Sequence, residues 1–425
     1  MTTTMPQACP LALAPKLSTN KDLAPAPAPG DIPRPDISWF PDRKVFLNRV
    51  EALKLLYPDR PTTVPAGWPT QLNMARAWSG SDFSDDGKEY IVQFDQADLA
   101  EIDEALVHFK SLPGDLGPDD VSKETFPLPG LEERLEAIAQ EIHNGRGFVV
   151  LRGLQPDKWT NMENILVYLG VTSYIAEKRG MQDFDGRMIL HIQAVVEDVK
   201  KHGAMPNSPY VARAQPFHTD LCDILSLYAL NTAKYGGESF LASSAQIYNE
   251  LAATRPDIIH TLIKDDWIFD EFWQGQYHTR PLLFNFEGQG PAFQFSRRPL
   301  TGSHFSPHHP DVPAMTEIQA EALDAVFFAA QKHKVEIKLQ KGDMMIFNNF
   351  AMLHARSSFH DEGEQRRHML RLWLRNEELM WKTPRELERL SWECYGDHEW
   401  RAKRVWDIER SPPELRVKYR RASCA

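Results

Sequence analysis

The chain has 425 residues, 42% of them hydrophobic and 25% charged, with a formal net charge of −11 and a mean hydropathy of −0.44. That length can bury a large core, while the acidic balance disfavours a polyanion-binding protein and the absence of any run of about 18 uncharged apolar residues disfavours a membrane span. Nucleic acid and membrane are therefore not expected partners. The four cysteines, Cys9, Cys222, Cys394 and Cys424, show no CxxC or disulfide-framework spacing and read as reduced thiols.

Residues 1–36 form a Pro/Ala-rich tail ("LAPAPAPGDIPRPD") that cannot bury a core. Its opening stretch has no acid before Asp22, but it also lacks the arginines of a presequence and the apolar run of a secretory signal. A cytoplasmic protein is expected, with the mitochondrion as the alternative.

From Trp39 onward the composition is globular. "KEYIVQF" (88–94) reads as a strand. "LEERLEAIAQEIHNGRG" (131–147) has helical spacing and ends in glycines, and "FVVLRGL" (148–154) reads as a buried strand directly after it. "LSLYALNTA" (225–233) and "SFLAS" (239–243) are strand-like, and "AQIYNELAATRPD" is a helix stopped at Pro256. Short apolar runs alternate with turns between 282 and 298. A long amphipathic helix follows over 315–333. Residues 335–356 read as strand, Gly-Asp turn, strand and loop; "HMLRLWLR" (368–375) alternates with period two; and "PRELERLSWE" begins a helix. Many short strands with helices before and between them fit a β-barrel or sandwich decorated by helices better than a doubly wound sheet. GxGxxG, GxxxxGK[ST] and GxSxG motifs are all missing, which removes the usual support for nucleotide-binding and serine-hydrolase readings.

The concentration of chemistry lies in "QPFHTDLCD" (215–223). In an extended chain His218 and Asp220 point to one face, so an imidazole and a carboxylate can converge on a point. With a second histidine from elsewhere they would make a facial triad for a non-haem iron; the alternative is a surface or satisfied core pair. Among the downstream histidines, His354 stands out because it follows a turn at Lys341-Gly342-Asp343 and the apolar "MMIFNNF". Arg367 lies 13 positions further on and Arg371 four beyond that. Arg367, Met369 and Arg371 share one face if 368–375 is a strand. An inward arginine needs either an anionic ligand or an internal acidic partner, and the residue pattern leaves both open.

Taken together, "GFVVLRGL" (147–154), "FHTD" (217–220), "YGGESFLAS" (235–243), "KGDMMIFNNFAMLHAR" (341–356) and "RRHMLRLWL" (366–374) resemble the taurine dioxygenase-like (TauD/TfdA, clavaminate synthase-like) family of Fe(II)- and 2-oxoglutarate-dependent oxygenases, in the family's order and over about 230 residues. The resemblance implies a mainly β fold with flanking helices around a double-stranded β-helix (jelly-roll, cupin-like) core. It implies a single catalytic domain over 37–425, with its core at about 145–375. It further implies His218, Asp220 and His354 as iron ligands, and Arg367 on the distal carboxylate of 2-oxoglutarate with the Ser239 hydroxyl beside it. Arg371 would face an acidic group of substrate or cosubstrate. The cofactors implied are Fe(II), 2-oxoglutarate and O2, and the products are succinate, CO2 and an oxidised C–H bond. Asp220 in place of a glycine or alanine speaks against halogenation. A small anionic or zwitterionic substrate is expected, in secondary metabolism, with hydroxylation, desaturation and cyclisation (including C–N bond formation) undistinguished and homo-oligomerisation left open.

Residues 40–130 and 376–425 fall outside these motifs; "SWFPDRKVFLNRV" and "WECYGDHEWRAKRVW" read as lids, oligomer contacts or extra packing helices. Substrate contacts are expected from 174–186 and 192–215. Cys222 is either an oxidation-sensitive or an inert buried thiol, and Asn348 and Asn349 either support the site or shape a turn. Two other readings compete: a catalytically silent jelly-roll binding protein, and a cupin-like metal hydrolase or isomerase. The second offers no role for Arg367 and Ser239.

Overall fold

Alternation decides how the sheets are built. In the computed structural model, which describes residues 35–183, 186–194, 210–271, 275–302, 307–396 and 404–409, "FVVLR" is a strand whose Phe148 and Val150 enter one buried cluster and whose Val149 and Leu151 enter another. A strand buried on both faces reads as a continuous apolar run, as this one does.

Eleven strands make the two principal sheets: β1 (Ile91–Gln93), β2 (Phe148–Arg152), β3 (Lys178–Gly180), β4 (Ile189–Ile192), β5 (Gln215–His218), β6 (Ile224–Asn231), β7 (Ser239–Ser243), β8 (Val335–Ile337), β9 (Met344–Asn348), β10 (Met352–Arg356) and β11 (His368–Arg375). The larger sheet runs β1-β2-β9-β6-β11-β3, with β4 also on β11. Only its β1–β2 pair is parallel. The smaller sheet runs β8-β7-β10-β5 and is antiparallel.

The helices are α1 (Arg43–Leu56), α2 (Gln96–Ser111), α3 (Glu132–His143), α4 (Asn161–Ser173), α5 (Ser244–Thr254), α6 (Pro256–Leu262), α7 (Glu317–His333) and α8 (Glu388–Tyr395). Local chemistry sets several boundaries. Thr160 with Glu163 and Thr316 with Gln319 form capping boxes on α4 and α7. Pro256 ends the helical run as expected but also opens α6, where its missing N–H costs nothing.

One apolar cluster lies between the sheets, joining Phe148, Leu225, Phe347, Met369 and Trp373 of the larger to Leu241, Ile337 and Met352 of the smaller. A second packs the outer face of the larger sheet (Val149, Ile346, Leu370, Leu372) against α2, α3 and α4. The third packs Phe217, Ala242 and Leu353 of the smaller sheet against α5, α6 and α7. The chain is thus mixed α/β with sheets, where the sequence suggested a mainly β protein. Helices contribute to all three clusters, α8 giving Cys394 and Tyr395 to the first, so they are core partners and not only a flanking cover.

The tail assigned to residues 1–36 lies almost entirely outside the described residues, and 184–185 and 195–209 of the expected substrate segments and 397–403 and 410–425 of the C-terminal extension lie outside them too. No helix among the described residues is long and apolar enough to cross a membrane.

Candidate metal and carboxylate site

The strand pairing assembles the site. β5 and β10 are antiparallel neighbours in which His218 and His354 stand directly opposite. Phe217 and Leu353 point into the helix-side cluster, so the two histidines take the face toward the other sheet. Their ring centroids are 4.0 Å apart. Asp220, just past β5, brings Oδ1 to 3.8 Å from His218 Nε2. One potential ligand atom from each of His218, Asp220 and His354 lies within 4.8 Å of the others, the one such group among the described residues.

Electrostatics suit a cation there. Burial pushes both imidazoles below the ordinary histidine range, His354 further than His218, and the neighbouring Arg371 adds to this; both are neutral and can offer lone pairs. His218 Nδ1 sits 3.0 Å from the Pro216 carbonyl, so that nitrogen carries the proton and Nε2 is the donor atom toward the cluster. Asp220 is wholly buried, and its Oδ1 has no hydrogen-bond partner. A buried acceptor left open in this way is costly unless an ion completes it. The donor set fits a divalent metal such as Fe(II), with three protein ligands and open positions.

The backbone around Asp220 is held by Asn349. Its Oδ1 accepts the Asp220 N–H at 2.8 Å, and its amide donates to the carbonyls of Asp220 (2.9 Å) and Cys222 (2.7 Å). Gln294 adds a 2.8 Å bond to the Asp220 carbonyl. The two asparagines therefore divide the roles left open between them: Asn349 supports the site, while Asn348 caps the turn by accepting the N–H groups of Phe350 and Ala351. Cys222 is fully buried and its thiol is pushed well above the usual range by burial, so it is the inert case.

Three buried arginines lie four residues apart here, Arg367 just before β11 and Arg371 and Arg375 on it, and their partners differ. Arg375 makes two hydrogen bonds to Asp223, of 2.7 and 2.9 Å. Arg371 donates from Nη1 to Asp220 Oδ2 (2.8 Å) and from Nε to Gln182 (2.8 Å), leaving buried Nη2 without a partner. Arg367 has neither Nε nor Nη1 hydrogen-bonded among the described residues, and burial lowers its pKa to about 10. Of the two arginines singled out in sequence, Arg371 thus has a hydrogen-bonded internal acid, whereas Arg367 feels the charge of Asp361 but leaves Nε and Nη1 open.

Ser239 is buried at the start of β7, directly opposite Arg356 of β10 and on the same face as Leu241 of the inter-sheet cluster. Two residues earlier, Gly237 lies against Arg367: a Cβ there would sit 3.2 Å from the arginine Cδ. Arg356 itself, depressed well below its ordinary pKa by burial and then by Arg367, donates to the carbonyls of Val211 and Arg213, both at 2.6 Å, tying down the chain that enters β5. The sequence reading missed Trp373, whose indole N–H donates to Asp220 Oδ2 at 3.0 Å; its place two residues from Arg371 on one strand face was the available signal. Gln182 and Gln294 carried no such signal.

Comparison with known proteins addresses the family and the fold. The profile of the family described as "Taurine catabolism dioxygenase TauD, TfdA family" matches residues 108–373. A "Taurine hydroxylase-like protein SAT17" of Stachybotrys chartarum is 37% identical over 350 residues, covering 80% of this chain and 89% of that protein. An "FR-33289 synthase" of Streptomyces rubellomurinus is 22% identical, covering 60% and 76%. Among solved structures, an asparagine oxygenase in complex with Fe(II), 3-hydroxyasparagine and succinate superposes with a TM-score of 0.52 at 16% identity, over 67% of this chain and 93% of that one. The oxygenase OrfP with Fe and alpha-ketoglutaric acid gives 0.50 at 15%, over 67% and 93%. At such identity these structures speak for the fold.

The protein is a non-haem iron dioxygenase that uses Fe(II), 2-oxoglutarate and O2. The chain belongs to the TauD/TfdA family.

Proposed function

We propose that the protein oxidises a C–H bond of a small anionic or zwitterionic molecule, with His218, Asp220 and His354 holding the iron and Arg367 binding the distal carboxylate of 2-oxoglutarate. The observation that carries this is the contrast along β11. Arg371 and Arg375 are neutralised by Asp220 and Asp223, while Arg367 is buried with two N–H donors unpaired. A buried guanidinium kept without a partner is a site prepared for a carboxylate.

When bound, iron and 2-oxoglutarate supply the oxidising chemistry: O2 and the oxo-acid are consumed, succinate and CO2 are released, and one oxygen atom is available to the substrate. The chain's own residues bind and orient. Phe359 lies 5.6 Å beneath the Arg367 guanidinium and limits its motion. Ser239 is assigned to the same carboxylate as a hydroxyl donor. The unpaired Nη2 of Arg371 supports an acidic group on the substrate. The two sheets, joined by one apolar cluster with the three ligands at its edge, support a jelly-roll core within a single catalytic domain. The buried free thiol of Cys222 supports a reducing compartment such as the cytoplasm.

A metal hydrolase or isomerase would leave Arg367 without a purpose, and a silent binding protein would bind an anion there without forming succinate. The deciding experiment measures 2-oxoglutarate binding to the Fe(II)-loaded protein under anaerobic conditions, then succinate release in air with a panel of amino acids and small acids. Binding that needs both iron and Arg367 is expected. An iron-loaded protein that neither binds 2-oxoglutarate nor forms succinate would overturn the reading.

A further inference from the structure

Resting on that reading of the three ligands, we propose that Trp373 is a positioning residue which, with Arg371, restricts Asp220 to binding the metal through one oxygen. The two carboxylate oxygens of Asp220 have unlike surroundings. Oδ2 accepts both the Arg371 Nη1–H at 2.8 Å and the Trp373 indole N–H at 3.0 Å. Oδ1 accepts nothing and is the atom 3.8 Å from His218 Nε2. An sp2 oxygen has two lone pairs in its plane, and two donors occupy them. Turning the carboxylate so that both oxygens reach the metal would break both bonds in a buried setting, where an unmade hydrogen bond is costly.

Both donors are fixed. Arg371 is held from its far side by Gln182 Oε1 at 2.8 Å, and the Gln182 amide is pinned to the carbonyls of Met188 (3.0 Å) and Arg371 (2.8 Å). Trp373 is among the largest fully buried side chains and packs in the inter-sheet cluster, with the Arg371 guanidinium 5.3 Å from its ring. They reach Asp220 together because residues two apart on β11 share a face. Neither group can accept a hydrogen bond, so neither can reverse its role. The consequence is a ligand count: one oxygen from Asp220 keeps the protein's share at three positions, whereas a chelating carboxylate would take a fourth, needed for cosubstrate or O2.

The test uses full-length metal-free protein and Co(II) alone as the probe, with no 2-oxoglutarate. Trp373→Phe keeps one aromatic ring and removes the N–H. Replacing the Trp373 side chain with its benzothienyl isostere, introduced at that single codon, keeps the indole shape and also lacks the N–H. The isostere is expected to retain the thermal midpoint of the metal-free protein to within a few degrees, and the phenylalanine variant to fall further because it leaves a cavity. Both should bind Co(II) about tenfold more weakly and show altered visible ligand-field bands as the second oxygen comes free. Wild-type affinity and superimposable bands in either folded variant would overturn the proposal, as would a lowered midpoint with unchanged bands, which is the signature of a packing role only. Should the phenylalanine variant not fold, the isostere alone decides by the same criteria. Failure of the unaltered protein to bind Co(II) would instead sink the three-ligand reading itself.

Discussion

Arg375 closes on Asp223 with paired hydrogen bonds of 2.7 and 2.9 Å, four residues along the same strand from Arg371 and its bond to Asp220. The segment carrying Asp220 is thereby clamped twice to β11. Arg375 also reaches Ser391 of α8 at 2.7 Å, and the Tyr395 hydroxyl accepts the Asp223 N–H and donates to the Leu374 carbonyl. The C-terminal extension, read in sequence as lid, contact or cover, packs in its described part behind the segment that carries Asp220 and Asp223. Removing one partner by Arg375→Met leaves a buried carboxylate uncompensated, and a loss of about 3–5 kcal/mol is expected in urea unfolding. The double replacement with Asp223→Leu should recover a large part of it. A single variant as stable as the parent would show that the pair is not desolvated.

Arg367→Ala should weaken 2-oxoglutarate binding on the order of a hundredfold, because a buried charge-assisted pair is lost. Co(II) affinity measured by calorimetry should be unchanged. The variant should also unfold at an equal or higher temperature than the parent in the absence of cosubstrate, since it removes a buried cation whose Nε and Nη1 donors are unsatisfied in the free protein. Added 2-oxoglutarate should raise the parent's midpoint and leave the variant's unmoved.

Gly237→Ala is expected to act on the cosubstrate without touching the metal ligands. The residue has φ +81, which an L side chain adopts only with strain, and its new Cβ would meet Arg367 at 3.2 Å. A stability loss of about 1–2 kcal/mol and a raised KM for 2-oxoglutarate should appear together, with metal affinity intact. Unaltered cosubstrate kinetics would separate Gly237 from the carboxylate site.

Acid stability has an identifiable contributor outside the site. Hydrogen bonds from Lys110, then from the N–H and hydroxyl of Thr160, lower the Glu163 pKa from 4.5 to about 2. A carboxyl depressed in the folded state stabilises fully above pH 4.5 and loses that contribution as the pH falls toward 2. Glu163→Gln should therefore lower stability slightly at neutral pH and flatten its dependence between these values, an effect that added salt should shrink because the group lies near solvent. A variant whose acid limb follows the parent's would exclude Glu163 as a contributor.

Several elements were legible in the sequence because their information is local. "SFLAS" is β7 residue for residue, and "HMLRLWLR" is β11, since period two is a property of the strand alone. The pairing of His218 with Asp220 needed only the rule that alternate residues share a face. By contrast, α2 and α4 went unread, and a helix was only one of three readings for the segment that opens α1: α1 has a weakly apolar face, and α4 is buried nearly throughout, so neither shows a clean amphipathic stripe. Their stability comes from what they pack against, which no local window contains.

The candidate site's residues were readable in one dimension: two histidines, one carboxylate and arginines four apart along one segment, with order and spacing that mark the family. How the arginines are used is a matter of three dimensions. Whether a buried guanidinium meets an internal acid or stays open depends on which segment crosses opposite it, and here Asp220 and Asp223 arrive opposite Arg371 and Arg375 while no carboxylate hydrogen-bonds the Arg367 side chain among the described residues. The same crossing brought Trp373 to Asp220. The two residues are 153 positions apart in sequence, and a hydrogen bond over that separation is set by the packing of one sheet on the other.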